Sequence, residues 1–292
     1  MRTRDLLMGM LLLTAAHLPS MTQAAEDEDD PARQHRWADL KQAVFAQRPV
    51  AVEPAAEHLI GLEAPVRALD AALVPVTVTV SDPSAKGIYL LIDDNPSPLA
   101  AHVVFGPAID PRSMSFRVRV NTYTFIHAVL ERDDGSLIET ARFVKASGGC
   151  SAPAGSDAEE ALQNIGKMKL KLAGKDSPLA SPLASPLAAT LMIRHPNFNG
   201  MQMDPLTQAY TPAHYVQKIK TTYDGKLVFS LDTDISMASD PVLGFFLRTE
   251  SGNDHTLTVS VRDNQDEHWE KTFPVIAPGP APDAKLQAKP GG

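Results

Sequence analysis

Cysteine is almost missing from this chain of 292 residues: there is one, Cys150. A single thiol closes no intramolecular disulfide, so it stays free, carries an adduct or pairs with another chain. Basic runs are missing too. With a formal charge of -8 and no cluster of Lys and Arg, nucleic acid is excluded as a partner, because phosphate binding needs cations gathered on one face. No apolar run approaches the roughly 20 residues of a membrane span, so no span is expected and the mature protein should be soluble. Aromatics make up only 6% of the chain, while Pro contributes 24 residues and Val and Thr cluster in short runs. That balance favours many short strands and frequent turns over long helices. The length suits two domains of about 100 residues each.

What is present begins with an export pattern. Arg2 and Arg4 precede the apolar stretch Leu6 to Ala16, and Thr22-Gln23-Ala24 puts small residues where a signal peptidase reads. Cleavage after Ala24 and a periplasmic location are expected. Glu26 to Asp30 are five consecutive acids, so residues 25–36 read as a solvated, disordered start. Trp37, Leu40, Lys41 and Val44 at helical spacing predict a short helix over Trp37 to Phe45, closed by Arg48-Pro49.

The fold expectation is all-β, with two immunoglobulin-like β-sandwiches in tandem over residues 37–147 and 167–276. In the first, strands are predicted over Val74 to Val80, Gly87 to Ile92, Ser115 to Val120 with Arg117 and Arg119 facing out, Thr124 to Leu130 and Leu137 to Lys145. The last two flank Asp133-Asp134-Gly135, whose Gly supplies the positive φ of a tight hairpin. Residues 148–166 connect the halves, with a capping box of Ser156 and Glu159 opening a short helix to Ile165. In the second, strands are predicted over Lys167 to Leu172, Thr190 to Arg194, Tyr215 to Thr222, Lys226 to Leu231, Leu243 to Thr249 and Thr256 to Arg262. Ser-Pro-Leu-Ala occurs three times over residues 177–188. Its prolines forbid helix and sheet interior, so it reads as a long loop inside the second domain. The tail over 277–292 reads as disordered.

Cys150 lies in an eleven-residue stretch, Lys145 to Gly155, without a bulky apolar side chain. Gly148, Gly149 and Ser151 beside it make a thin, mobile arm that reaches on the order of 13 Å from the last strand when extended. No general base is nearby in sequence and Lys145 is the only nearby cation, which suits a covalent carrier better than a catalyst. A rival site draws on His195, His214, Met201 and Met203, since imidazole and thioether suit copper. The two His are 19 residues apart, and a structural or interface role is preferred for them, so no metal is assigned. Asp93-Asp94 and Asp133-Asp134 read as turn residues.

Residues 37–151 resemble SoxY, the sulfur-carrier subunit of bacterial sulfur oxidation. The resemblance rests on Trp37 with Leu40-Lys41, Leu62-Glu63-Ala64-Pro65, Leu73-Val74-Pro75, Asp94-Asn95-Pro96, Arg117-Val118-Arg119 and Gly148-Gly149-Cys150. Residues 167–275 resemble its partner SoxZ through His195-Pro196 with Gly200, Pro212-Ala213-His214, Tyr223-Asp224-Gly225 and Asp263-Asn264. The order is similar to fused SoxYZ-like carriers associated with quinoprotein dehydrogenases. The resemblance implies that Cys150 holds a sulfur intermediate covalently for a c-type cytochrome or other periplasmic redox enzymes, with no catalysis and no cofactor of its own. Two alternatives stand beside it: an assembly partner of a periplasmic quinoprotein dehydrogenase, and copper delivery through His and Met. Here the chain continues past Cys150 through Ser151-Ala152-Pro153, so an arm tethered at both ends swings less.

Overall fold

The computed structural model describes residue 28 and residues 30–54, 57–152, 162–173, 186–203, 208–249 and 254–275. The expected signal peptide, residues 25–27 and 29 of the acidic start, the connecting helix up to residue 161, repeat residues 177–185 and the tail lie outside the described residues.

Among the described residues one helix, α1 (Pro31–Phe45), precedes the strands. It starts six residues before the expected Trp37, inside the stretch read as disordered. Asp30 caps it by accepting the Ala32 N–H at 2.9 Å, and Pro31, which has no N–H to leave unsatisfied, sits in the first turn. The early turn is anchored by Arg33 and Arg36, which both pair with Asp94, at 2.8 and 2.7 Å. Trp37 and Phe45 bury against Leu91, Val129 and Leu137 in a small cluster of their own.

The first half contributes β1 (Val50–Val52), β2 (Ile60–Glu63), β3 (Val74–Val80), β4 (Ala85–Ile92), β5 (Leu99–Phe105), β6 (Ile109–Val118), β7 (Thr124–Arg132) and β8 (Leu137–Val144). The second contributes β9 (Met168–Leu172), β10 (Leu187–Ile193), β11 (Val216–Tyr223), β12 (Lys226–Thr233), β13 (Val242–Leu247), β14 (His255–Asp263) and β15 (His268–Val275). The described chain is therefore mostly β. Side chains alternate as a half-buried strand requires: Val74, Val76, Val78 and Val80 of β3 point inward, as do Leu187, Ala189, Leu191 and Ile193 of β10. The repeat ends inside β10, because its last two residues, Leu187 and Ala188, already pair with Leu247 and Phe246 of β13.

The halves are not two separate sandwiches. Their strands join into one nine-stranded sheet, ordered β1-β8-β7-β4-β5-β12-β11-β14-β15, facing one six-stranded sheet, ordered β2-β3-β6-β13-β10-β9. The joints are antiparallel: β5 on β12, with Val103 opposite Leu231, and β6 on β13, with Ile109 opposite Leu247. Gly106 follows β5 where the second half presses close; a Cβ there would lie 2.1 Å from the Leu227 carbonyl oxygen, so glycine is required. Between the sheets a single apolar core runs through both halves, from Ile60 to Val275.

Candidate functional site

Beyond β8 the chain turns back instead of extending. The Gly148 N–H donates to the Asn121 carbonyl at 2.8 Å and the Gly149 N–H to that of Val120 at 3.0 Å. Gly148 takes φ of 79°, a left-handed conformation that glycine adopts without steric cost. Its carbonyl then accepts the N–H groups of Ser151 at 3.2 Å and Ala152 at 2.9 Å, closing a turn around Cys150. Gly149 is wedged between backbones: a Cβ there would lie 2.1 Å from the Ala71 carbonyl oxygen and 2.6 Å from that of Val120.

Cys150 is consequently buried, 1% exposed. Its carbonyl accepts Asn199 Nδ2 at 2.6 Å, a residue from the far half of the sequence. Arg119, also buried, bridges the same halves, donating from Nη1 to the Gly149 carbonyl and from Nη2 to the Asn197 carbonyl, both at 3.3 Å. Asn197 is held in turn by Nδ2 on the Ala238 carbonyl at 3.0 Å and Oδ1 on the Val216 N–H at 3.1 Å. Burial pushes the Cys150 thiol up to about 11, with the neighbouring Arg119 charge acting in the opposite direction. In this arrangement the sulfur is a protonated, sheltered thiol and a poor nucleophile.

Three expectations change here. The extended arm of Gly148, Gly149 and Ser151 is a docked turn, because backbone hydrogen bonds replace the apolar contacts that its composition lacks. Arg119 points inward: β6 ends at Val118, so strand alternation no longer governs the next residue. The cation beside the thiol is Arg119, where the sequence had suggested Lys145.

A second buried group lies in the other half. His195, His214 and Asp263 converge, with one donor atom from each within 4.8 Å of the others. His214 Nε2 meets Asp263 Oδ2 at 2.6 Å, and His195 Nε2 stands 3.5 Å from the same oxygen. Burial, reinforced by the neighbouring His214, pushes His195 down to about 4. Burial opposes the Asp263 charge, but the His214 bond and the N–H groups of Gln265 and Glu267 outweigh it and hold that carboxyl below its ordinary range. The two imidazoles thus meet despite their sequence separation, with an unforeseen carboxylate as third member. Met203 is exposed, and pairs through its backbone with Tyr210. Asp93 and Asp94 do more than turn the chain: Asp93 lies 3.2 Å from His127 and Asp94 anchors α1. Asp134 accepts the Ser136 N–H within its hairpin turn.

Comparison with known proteins divides the chain where its chemistry does. A family model for the sulfur oxidation protein SoxY matches residues 41–150, and one for the sulphur oxidation protein SoxZ matches residues 180–274. The chain belongs to the fused SoxYZ-like proteins. Among solved structures it is similar to the sulfur carrier protein SoxY from Chlorobium limicola f thiosulfatophilum, at 27% identity over 39% of this chain and 94% of that one, with a TM-score of 0.32. Two structures of superoxide reductase (neelaredoxin) from Ignicoccus hospitalis follow. One, a point variant, is 19% identical, covers 35% of this chain and 96% of that chain and has a TM-score of 0.30; the other is 16% identical, covers 33% and 94% and has a TM-score of 0.28. No curated protein matches. In these terms the SoxY domain supplies Cys150, Gly149 and Arg119, while the SoxZ domain supplies Asn197 and Asn199, which fasten the cysteine turn. Sequence reading missed Arg119, Asn197 and Asn199. The density of Asn in His195-Pro196-Asn197-Phe198-Asn199-Gly200 was the one local signal, since Asn favours the left-handed turn seen at Asn197, with φ of 44°.

Proposed function

We propose that this protein is a periplasmic, non-enzymatic sulfur carrier that holds its cargo covalently on Cys150. The SoxY and SoxZ domains support a carrier-like role in sulfur oxidation. The observation that carries the finer reading is the position of Cys150: the one cysteine of the chain ends the SoxY match and is fastened by Asn199 of the SoxZ domain. Loading with thiosulfate joins the Cys150 thiolate to the outer sulfur through a new S–S bond, the thiol proton goes to solvent, and two electrons pass to an oxidised c-type cytochrome or another periplasmic redox partner. Docking then shelters the thiol between encounters; the turn opens transiently on its own, and a partner holds it open.

Loading without a partner tests this. Tetrathionate offers a preformed S–S bond: the thiolate attacks an inner sulfur, Cys150 gains an S–SO3 group and thiosulfate leaves. The native protein should gain one such group by intact mass, reversed by reductant, and Cys150→Ser should gain none. If only the denatured protein reacts, the carrier reading is lost. A second reading, favoured by the burial of Cys150, is an interaction partner of a periplasmic quinoprotein dehydrogenase in which the thiol is incidental; a complex unaffected by Cys150→Ser would support it.

A further inference from the structure

The buried group of the SoxZ domain is untouched by the carrier chemistry, and its donors are incompletely used. Asp263 Oδ1 accepts the N–H groups of Gln265 and Glu267, both at 2.9 Å, and so fixes the turn after β14. Oδ2 is left to face the imidazoles. His214, on the chain entering β11, reaches it with Nε2, while its own backbone N–H bonds the Phe198 carbonyl at 2.8 Å. His195, on the chain leaving β10, is fully buried, and at 3.5 Å from the carboxylate its Nε2 makes no hydrogen bond. A buried imidazole nitrogen aimed at a carboxylate and left unbonded is a costly arrangement for a purely structural cluster.

We propose that His195 Nε2, His214 Nε2 and Asp263 Oδ2 form a binding site for one divalent first-row transition ion. Two imidazole nitrogens and one carboxylate oxygen are a borderline donor set. It suits Zn2+ or Cu2+, whereas Mg2+ and Ca2+ prefer all-oxygen shells and cuprous copper prefers sulfur. Ligands about 2.0–2.1 Å from a tetrahedral ion lie roughly 3.3 Å apart. The two imidazole-to-carboxylate contacts of 2.6 and 3.5 Å bracket that spacing, while the widest donor pair lies within 4.8 Å. Occupancy therefore requires the His214 contact to lengthen by fractions of an ångström and the imidazole nitrogens to close on each other by up to about 1.5 Å. The outer contacts suit the role: the backbone N–H groups on Oδ1 orient the carboxylate as supporting groups do at metal centres. His214, whose side chain is 10% exposed, marks the edge by which an ion enters and by which water completes its shell.

Occupancy has one local cost. His195 Nδ1 now accepts the Asn197 N–H at 3.1 Å, which leaves the imidazole proton on Nε2. Ligation through Nε2 moves that proton to Nδ1, through solvent, and gives up the Asn197 bond.

The test uses the full chain carrying Cys150→Ser, so that the thiol contributes no ligand, freed of metal with a chelator and titrated with ZnCl2 by equilibrium dialysis. One Zn2+ per chain is expected, with affinity reduced by about tenfold or more in both Asp263→Asn and His214→Ala. X-ray absorption at the zinc edge of the loaded Cys150→Ser protein reads the ligands directly, whether or not those variants fold, and should show two imidazoles. Absence of stoichiometric zinc at micromolar concentrations, an affinity unchanged by folded variants, or a shell without two imidazoles would each overturn the site.

Discussion

Gly149→Ala separates a docked cysteine from a merely inaccessible one. The new methyl would lie 2.1 Å from the Ala71 carbonyl oxygen and 2.6 Å from that of Val120, and both obstacles are backbone held by the Val120 N–H to Ala71 carbonyl bond at 2.8 Å. Neither yields as a side chain does, so the turn leaves its seat. Cys150 then loses the burial that holds it near 11 and returns toward its ordinary value of 9.0. Two pH units correspond to about a 100-fold larger thiolate fraction at neutral pH. The assay is the pseudo-first-order rate of a small chromogenic disulfide with the native protein. The lower pKa also costs the thiolate about tenfold in intrinsic nucleophilicity, so Gly149→Ala should react at least about tenfold faster than wild type, and faster still as the sulfur is uncovered. Gly148→Ala is the control: it strains a positive φ, but its Cβ meets nothing closer than Ser151 Oγ at 3.8 Å, and its rate should rise less. A Gly149→Ala rate equal to wild type would refute the steric reasoning, as would a wild-type thiol already as fast as a free cysteine.

Three further outcomes follow from the same geometry. Asn199→Ala removes the 2.6 Å bond to the Cys150 carbonyl, worth about 0.5–1.5 kcal/mol, and should raise the thiol rate several-fold without shifting the melting temperature of the sheets. His127 is buried between Asp93 and Glu139 with Trp37 stacked on it at 3.7 Å. Burial alone would lower its pKa, but the two carboxylates outweigh burial and raise it above 6.5. Its contribution to stability is therefore full below that ordinary value and lost as pH rises through the folded one; melts followed across that range should show a decline that His127→Gln flattens. Because Val103 and Leu231 are both fully buried and face each other across the joint, calorimetry should give one cooperative transition, and Leu231→Ala should lower its stability by about 2–5 kcal/mol. Two transitions, only one of them shifted, would contradict a shared core.

How much of this was legible in the sequence depends on whether the information is local. The Val alternation of β3 and the Asp133-Asp134-Gly135 hairpin are local signals, and both elements formed where they were read. β5 escaped notice because Leu99-Ala100-Ala101-His102 breaks the alternation, and β15 because most of its side chains face solvent. The joining of the halves through β5 and β12 pairs strands far apart along the chain, to which no local pattern speaks. The cysteine turn failed for another reason. Lack of apolar side chains points to lack of burial, yet Gly148 and Gly149 are seated by backbone hydrogen bonds, and it is the missing side chain of Gly149 that lets two backbones close on it. The convergence of His195, His214 and Asp263 needed the ends of β10 and β14 and the start of β11 in one place, which spacing along the chain does not encode.

The most direct test of the carrier account is the intact mass of the protein taken from its native compartment without reductant, before and after reduction. The account predicts a reducible added mass of sulfur, sulfite or thiosulfate size on Cys150; an unmodified thiol in protein isolated during active sulfur oxidation would contradict it.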